Sequence, residues 1–468
     1  MTAQPARDGF LADDLLLRHE RKGLLRFVTC GAVDDGKSTL MGRLLYEANS
    51  LFDDQVATLE VDSRKHGAQD NELDYSLLLD GLSAEREQGI TIDVAYRFFS
   101  TERRKFIVAD APGHEQYTRN MATGASTADL AIILIDARKG LTLQTRRHSL
   151  ILSMLGVRNI VLVANKMDLV NWSESVFRAI ENDYRALAAG LNFSRIVCIP
   201  ASARAGDNVV DRSQNMDWYR GPTLLRHLEE VDIGTARERP FRMPVQSVIR
   251  AKSDFRGYAG LIAGGEITVG MPVQILPSGQ TSRVRRIVTY DGDLDRAISG
   301  QTVTVTLDDN LDMARGDVMA ETGNGPDVAD RFNARMFWIG AEPFAPGRQY
   351  LLKLGTQTVS AAAAPNLRSL DLDTLDSEPA DRIALNGIAD CTLRLDRPLA
   401  FDRYTDSRET GGFILIDRES FETVGMGLVS GPETGKPDSI STASSRTGPW
   451  VLGTRWSWRG RRRRSAAP

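Results

Sequence analysis

The stretch Gly31-Ala32-Val33-Asp34-Asp35-Gly36-Lys37-Ser38-Thr39 constrains the fold of this chain more than any other. Its spacing is that of a phosphate loop, in which glycines let backbone N–H groups curl around an oxyanion with no side chain in the way. Such a loop needs a strand before it and a helix after it. Leu25 to Cys30 reads as a short buried strand, and Ser38 to Ala48 as an amphipathic helix whose N-terminus faces the loop. On this reading Lys37 neutralises the β- and γ-phosphates of a nucleotide and the Ser38 hydroxyl ligates Mg²⁺.

The segments downstream say which base would sit there. Asn159 to Ala164 is an apolar strand that runs into Asn165-Lys166-Met167-Asp168. A carboxylate at Asp168 accepts two hydrogen bonds, from guanine N1–H and the exocyclic amine. Adenine lacks both donors on that edge and would leave the carboxylate unpaired. Lys166 is expected along the base plane and Asn165 as a brace between loops. After a further strand, Ile196 to Pro200, the backbone of Ala201-Ser202-Ala203 is placed to meet the guanine carbonyl.

Two segments stand where a γ-phosphate would be sensed. The strand Phe106 to Ala109 ends in Asp110-Ala111-Pro112-Gly113-His114. Asp110 suits Mg²⁺ through a water, Gly113 brings its N–H to the γ-phosphate, and His114 stands beside the attacking water. Upstream, Glu85 to Ile92 supplies Thr91, whose hydroxyl completes the Mg²⁺ shell only while the γ-phosphate is present, so hydrolysis should release that loop.

Residues 31–38, 85–92, 110–114, 165–168 and 201–203 together resemble the translation-factor-type GTPases. The resemblance implies that His114 positions the hydrolytic water, with Val33 and Ile90 as an apolar gate. It implies a nucleotide contact set of Gly31, Ala32, Val33, Asp34, Asp35, Gly36, Lys37, Ser38 and Thr39 in the loop. Asp110, Ala111, Pro112, Gly113 and His114 join it, as do Asn165, Lys166, Met167 and Asp168 and, last, Ser202 and Ala203; the metal ligands are Ser38, Thr91 and Asp110.

Other stretches narrow the branch. Asp35 stands where elongation factors usually carry His, Glu115 to Met121 follows His114, and Trp218-Tyr219-Arg220-Gly221-Pro222-Thr223-Leu224-Leu225 closes the first domain. With Arg256-Gly257-Tyr258-Ala259-Gly260 and Leu276 to Val284, these resemble the GTPase subunit of bacterial heterodimeric sulfate adenylyltransferase, over about residues 20 to 429. That resemblance implies GTP and Mg²⁺ as cofactors and a partner, the small ATP-binding catalytic subunit that performs the adenylyl transfer. An elongation-factor-like GTPase carrying aminoacyl-tRNA, or a regulatory GTPase scaffold that turns over negligibly, is the alternative. The net charge of −4 gives no general pull toward nucleic acid and counts against tRNA.

At 468 residues the length calls for about three domains. The expected organisation is an extension over 1–24, a GTP-binding domain with a mostly parallel sheet and helices on both faces over 25–235, and two β-barrels over 241–325 and 330–429. Barrel strands are expected at Met243 to Arg250, Gly260 to Ala263, Gly265 to Val269, Pro272 to Leu276 and Arg283 to Tyr290. After an acidic linker, Glu321 to Asp330, more follow at Ala334 to Ile339, Gln349 to Leu354, Gly387 to Leu395 and Phe413 to Asp417.

Residues 430–468, rich in Ser, Gly, Pro and Arg, lack hydrophobic periodicity and read as a disordered tail. Its Trp456 to Arg464 stretch has a second reading as a nucleic-acid or membrane-surface patch, which composition disfavours. Gly431 to Pro437 is no second phosphate loop, because Pro437 replaces the metal-binding hydroxyl. No apolar run approaches the roughly 20 residues that span a bilayer, the N-terminus lacks a signal-like segment, and Cys30, Cys198 and Cys391 stand alone. A cytoplasmic protein with reduced thiols is the expectation.

Overall fold

The computed structural model describes residues 23–48, 57–59, 61, 63, 73–78, 94–113, 118–233, 239–252, 255–371 and 376–433. Its first layer is a six-stranded sheet of β1 (Gly23–Cys30), β2 (Ala95–Ser100), β3 (Arg104–Asp110), β4 (Leu130–Asp136), β5 (Asn159–Asn165) and β6 (Arg195–Pro200), in the order β2-β3-β1-β4-β5-β6. Only β2, antiparallel to β3, departs from parallel pairing. β4, LAIILID, is buried at every position, as a strand covered on both faces must be.

The chain leaves β1, builds β2 and β3 on one side, then crosses to build β4, β5 and β6 on the other. The sheet therefore switches direction at the C-terminal end of β1, where open α/β sheets bind ligands. Register fixes what gathers there. Thr29 pairs with Asp110, Cys30 with Ile133, Asp136 with Asn165, and Ala164 with Pro200.

Helices close both faces. In α1 (Lys37–Glu47), Leu40, Met41, Leu44 and Leu45 are buried at helical spacing. α2 (Thr118–Ser126) follows β3, and α3 (Leu143–Met154) is started by a reciprocal hydrogen-bonded pair, Thr142 with Thr145. α4 (Glu174–Ala188) buries Phe177, Ile180, Tyr184 and Ala188, and Ser173 caps it by accepting from Val176 N–H. α5 (Leu224–Glu230) ends the domain.

From residue 242 the chain is β. It forms β7 (Arg242–Lys252), β8 (Phe255–Leu261), β9 (Glu266–Thr268), β10 (Pro272–Leu276), β11 (Gln280–Thr289), β12 (Gly292–Leu294), β13 (Arg296–Ile298), β14 (Thr302–Leu307) and β15 (Val318–Glu321). Strands β10-β15-β7-β8-β14-β11 close on themselves through β10–β11 into a six-stranded barrel. Its interior is Met243, Val245, Tyr258, Val273, Ile275 and Val305, with their neighbours. The second barrel uses β16 (Asp327–Trp338), β17 (Gln349–Leu354), β18 (Gln357–Ala363), β19 (Arg368–Leu370), β20 (Ser377–Pro379), β21 (Ile388–Phe401), β22 (Gly412–Asp417) and β23 (Thr423–Pro432). The ring β16-β23-β22-β17-β18-β21 closes through β16–β21, and the short pair β19-β20 branches from β21.

Several expected boundaries move. Residues 430–432 belong to β23, so the tail expected from 430 begins inside the barrel wall. The linker expected over 321–330 is shorter, because Glu321 ends β15 and β16 starts at Asp327. Acidic residues there hid a strand that exists through its long pairing with β21. The strand expected at Gly260 to Ala263 is the end of β8 and the turn after it. β12 to β15, β18 to β20 and β23 were not anticipated; the Thr/Val alternation TVTVTL of β14 was legible, whereas the Ala-rich β18 was not.

A short segment of the second barrel ties the domains together. Asp402 receives both Nε and Nη2 of Arg242 at 2.9 Å, and Thr410 Oγ1 donates to it at 2.6 Å. Tyr404 donates its hydroxyl to Leu155 O at 2.9 Å. From α6 (Arg408–Gly411), Arg408 donates to Ala128 O at 2.8 Å and to Gly156 O, the carbonyls just beyond α2 and α3. Phe337, Ile339, Leu370 and Ile388 of this barrel share one apolar core with the α/β domain.

Candidate nucleotide site

Gly31 to Gly36 leaves β1 and turns into α1 through two left-handed residues, Asp34 (φ 66°) and Gly36 (φ 91°). A Cβ on Gly36 would lie 2.5 Å from Asn165 Nδ2, so that position takes no side chain. Lys37, the first residue of α1, is nearly buried. It arches back over the loop, donating to Gly31 O at 3.1 Å and Ala32 O at 2.9 Å. Burial pulls its ammonium below the usual lysine range, against the opposing pull of Asp110 and Asp35. Asp35 is 1% exposed, and its Oδ2 accepts Ala32 N–H at 2.6 Å.

Asp110 arrives at the end of β3, with Oδ1 held by Thr29 Oγ1 at 2.8 Å. Ala111, Pro112 and Gly113 follow, all buried. A Cβ on Gly113 would stand 2.5 Å from Lys37 Nζ and 2.9 Å from Gly31 O, so only glycine lets this backbone meet the loop. Ser38 and Thr39, in the first turn of α1, and Val33 in the loop are partly exposed. The oxygen donors of Ser38 and Asp110 suit a hard cation such as Mg²⁺, which takes few protein ligands and keeps waters and phosphate oxygens.

On the base side, the side chains of Asn165 and Lys166 grip consecutive carbonyls of the loop. Asn165 Nδ2 donates to Asp35 O at 2.8 Å, Asn165 Oδ1 accepts Ala203 N–H at 2.9 Å, and Lys166 Nζ donates to Asp34 O. One amide side chain thus joins the phosphate loop, the end of β5 and the loop after β6. Asp168 lines a cleft of about 440 Å³ with Gly36, Thr39, Lys166, Ser202 and Ala203. Met167 is fully buried and its side chain packs in the core. His114, Ile90 and Thr91 lie outside the described residues.

Three supports escaped the sequence reading. Asp136, at the end of β4 and fully buried, receives Arg138 Nη2 at 2.6 Å and Lys166 Nζ at 3.1 Å. Burial alone would raise its carboxyl, but the hydrogen bonds from Arg138 and Lys166 outweigh it and hold the group well below the usual range. Asp207 accepts from Trp172 Nε1 at 2.8 Å and Ser213 Oγ at 2.6 Å, which fixes the loop carrying Ser202 and Ala203. Arg43, from α1, donates to Arg204 O at 2.5 Å across the cleft rim. Asp136 stands in register with Asn165 at the ends of β4 and β5, and no motif in the sequence marked it.

The family profile described as Elongation factor Tu GTP binding domain matches residues 22–235, and GTP-eEF1A C-terminal domain-like matches residues 331–430. Sulfate adenylyltransferase subunit 1 of Methylorubrum extorquens is 54% identical over 92% of this chain and 92% of its own length. Sulfate adenylyltransferase subunit 1 of Shewanella woodyi is 49% identical over 90% of each. The bifunctional enzyme CysN/CysC of Xylella fastidiosa is 52% identical over 88% of this chain and 67% of its own. With a phosphate loop at the switch point of a parallel sheet and two closed barrels behind it, the chain belongs to the sulfate adenylyltransferase subunit 1 family, within the translation-factor-like GTPases.

Proposed function

We propose that this chain binds and hydrolyses GTP, and that loss of the γ-phosphate drives a partner's synthesis of adenosine 5′-phosphosulfate and pyrophosphate from ATP and sulfate. The partner is a separate ATP-binding catalytic subunit. Forming a phosphate–sulfate anhydride from ATP is strongly uphill, so coupling to a second hydrolysis makes chemical sense. The observation that carries the reading is the continuity of two half-sites. Asp168, Ser202 and Ala203 line a cleft whose far wall, Gly36 and Thr39, belongs to the phosphate loop.

Each residue then has a task. Asp168 accepts from the guanine edge, Lys166 lies along the base, and Ala203 N–H, aligned by Asn165, is beside the base carbonyl. Lys37, already aimed across the loop, exchanges the Gly31 and Ala32 carbonyls for β- and γ-phosphate oxygens. Gly113 presents its N–H to the γ-phosphate, and His114 orients the attacking water behind the gate of Val33 and Ile90. Mg²⁺, held by Ser38, Thr91 and Asp110, supplies charge neutralisation on the phosphates when bound. Loss of the γ-phosphate releases Thr91 and Gly113 and frees the segment that feeds α2.

The test is pyrophosphate release from ATP and sulfate, by this chain alone, by the catalytic subunit, and by both, each with and without GTP. The reading expects GTP stimulation only when both are present. Stimulation without this chain, or none with it, would overturn the reading, and tRNA binding in place of stimulation would favour a translation role.

A further inference from the structure

Asp35 is a carboxylate buried inside the loop that is to hold phosphates, which is an unfavourable place for negative charge. Its Oδ2 accepts Ala32 N–H at 2.6 Å and lies 3.3 Å from where a Cβ on Gly31 would stand. Its main-chain carbonyl accepts Asn165 Nδ2 at 2.8 Å, and the carbonyl before it accepts Lys166 Nζ. Its Oδ1 is buried and has no hydrogen-bond partner among the described residues. Lys37, Lys139 and Asp136 surround it; burial pushes its carboxyl up, and the Ala32 N–H and the two lysines pull it back.

We propose that Asp35 is a positioning residue whose carboxylate oxygen pins Ala32 N–H, fixing the curvature of the loop onto which Asn165 and Lys166 clamp, so that the loop is shaped for nucleotide before nucleotide arrives. The side chain touches no phosphate. Its contribution is geometric, and only the hydrogen-bond acceptor is needed for it, not the charge. The proposal rests on the reading of this loop as the GTP phosphate site.

Titrations of fluorescent GTP and GDP onto the full-length chain test it with Asp35→Ala and Asp35→Asn. Asp35→Ala, which removes the acceptor, weakens both nucleotides about tenfold or more. Asp35→Asn, whose amide oxygen accepts the same N–H, binds both within about threefold of the unsubstituted chain. The melting temperature of nucleotide-free Asp35→Ala stays within about 3 °C, a readout that a general structural role would move. The brace is overturned if Asp35→Ala binds as well as the unsubstituted chain, if Asp35→Asn is as weak as Asp35→Ala, or if Asp35→Ala fails to fold. If the unsubstituted chain does not bind GTP, the functional reading falls first and this proposal with it.

Discussion

His148, on α3, is fully buried; Gln144 Nε2 donates to its Nε2 at 2.8 Å, and its Nδ1 has no hydrogen-bond partner among the described residues. Burial, with Lys37 and Arg147 nearby, pulls its pKa down to about 3, against about 6.5 in an unfolded chain. The native state therefore refuses a proton that the unfolded state accepts. Stability from this source is complete above about pH 6.5 and falls as pH drops toward 3, by on the order of 1 kcal/mol per unit. Denaturant unfolding of the unsubstituted chain and His148→Gln between pH 7 and 5 should show a shallower loss in the variant, and identical slopes would contradict the assignment. His114→Ala should slow single-turnover GTP hydrolysis by about a hundredfold while GTP affinity stays within about threefold. Lost affinity would make His114 structural. At this scale the sequence was informative where chemistry demands one residue type, as at Lys37, Asp110, Asn165 and Asp168. It was silent on Asp136, Asp207 and Arg43, whose importance comes from which neighbours the fold delivers to them.

In the α/β domain β1, β3, β5, β6 and α1 were legible because each adjoins a loop with a fixed composition, whereas β2, β4 and the later helices, which adjoin no such loop, were not placed from the sequence. Barrel strands carry weaker signals, since half of each faces solvent and pairing outweighs local propensity. The β16 start at Asp327-Val328-Ala329-Asp330 reads as a linker, yet it is held by register with Phe401, Ala400 and Leu399 of β21. The strut between barrels was invisible for the same reason, because Arg242 and Asp402 lie far apart in sequence. Both side chains are largely buried, so removing one leaves the other unpaired. Asp402→Ala should cost about 3–5 kcal/mol in chemical denaturation, and Arg242→Met with Asp402→Leu should recover a large part of it. A single substitution costing under about 1 kcal/mol would show that the strut carries no weight.

Across the whole molecule, one short stretch of the second barrel, residues 402–410, contacts both the first barrel and the α/β domain. Arg408 and Tyr404 end on carbonyls just after α2 and α3, and α2 is the helix downstream of Asp110 to Gly113. On the proposed function, a change at the γ-phosphate that moves α2 would reach this barrel through the Arg408 contact after α2. No helix among the described residues is long and apolar enough to cross a membrane. The most direct test swaps the base read by the complex. With the catalytic subunit present, pyrophosphate release from ATP and sulfate is measured with GTP and with xanthosine triphosphate, for the unsubstituted chain and for Asp168→Asn. The account predicts stimulation by GTP in the first and by xanthosine triphosphate in the second, because the new amide donates where the carboxylate accepted. Unchanged preference for GTP in Asp168→Asn would contradict it.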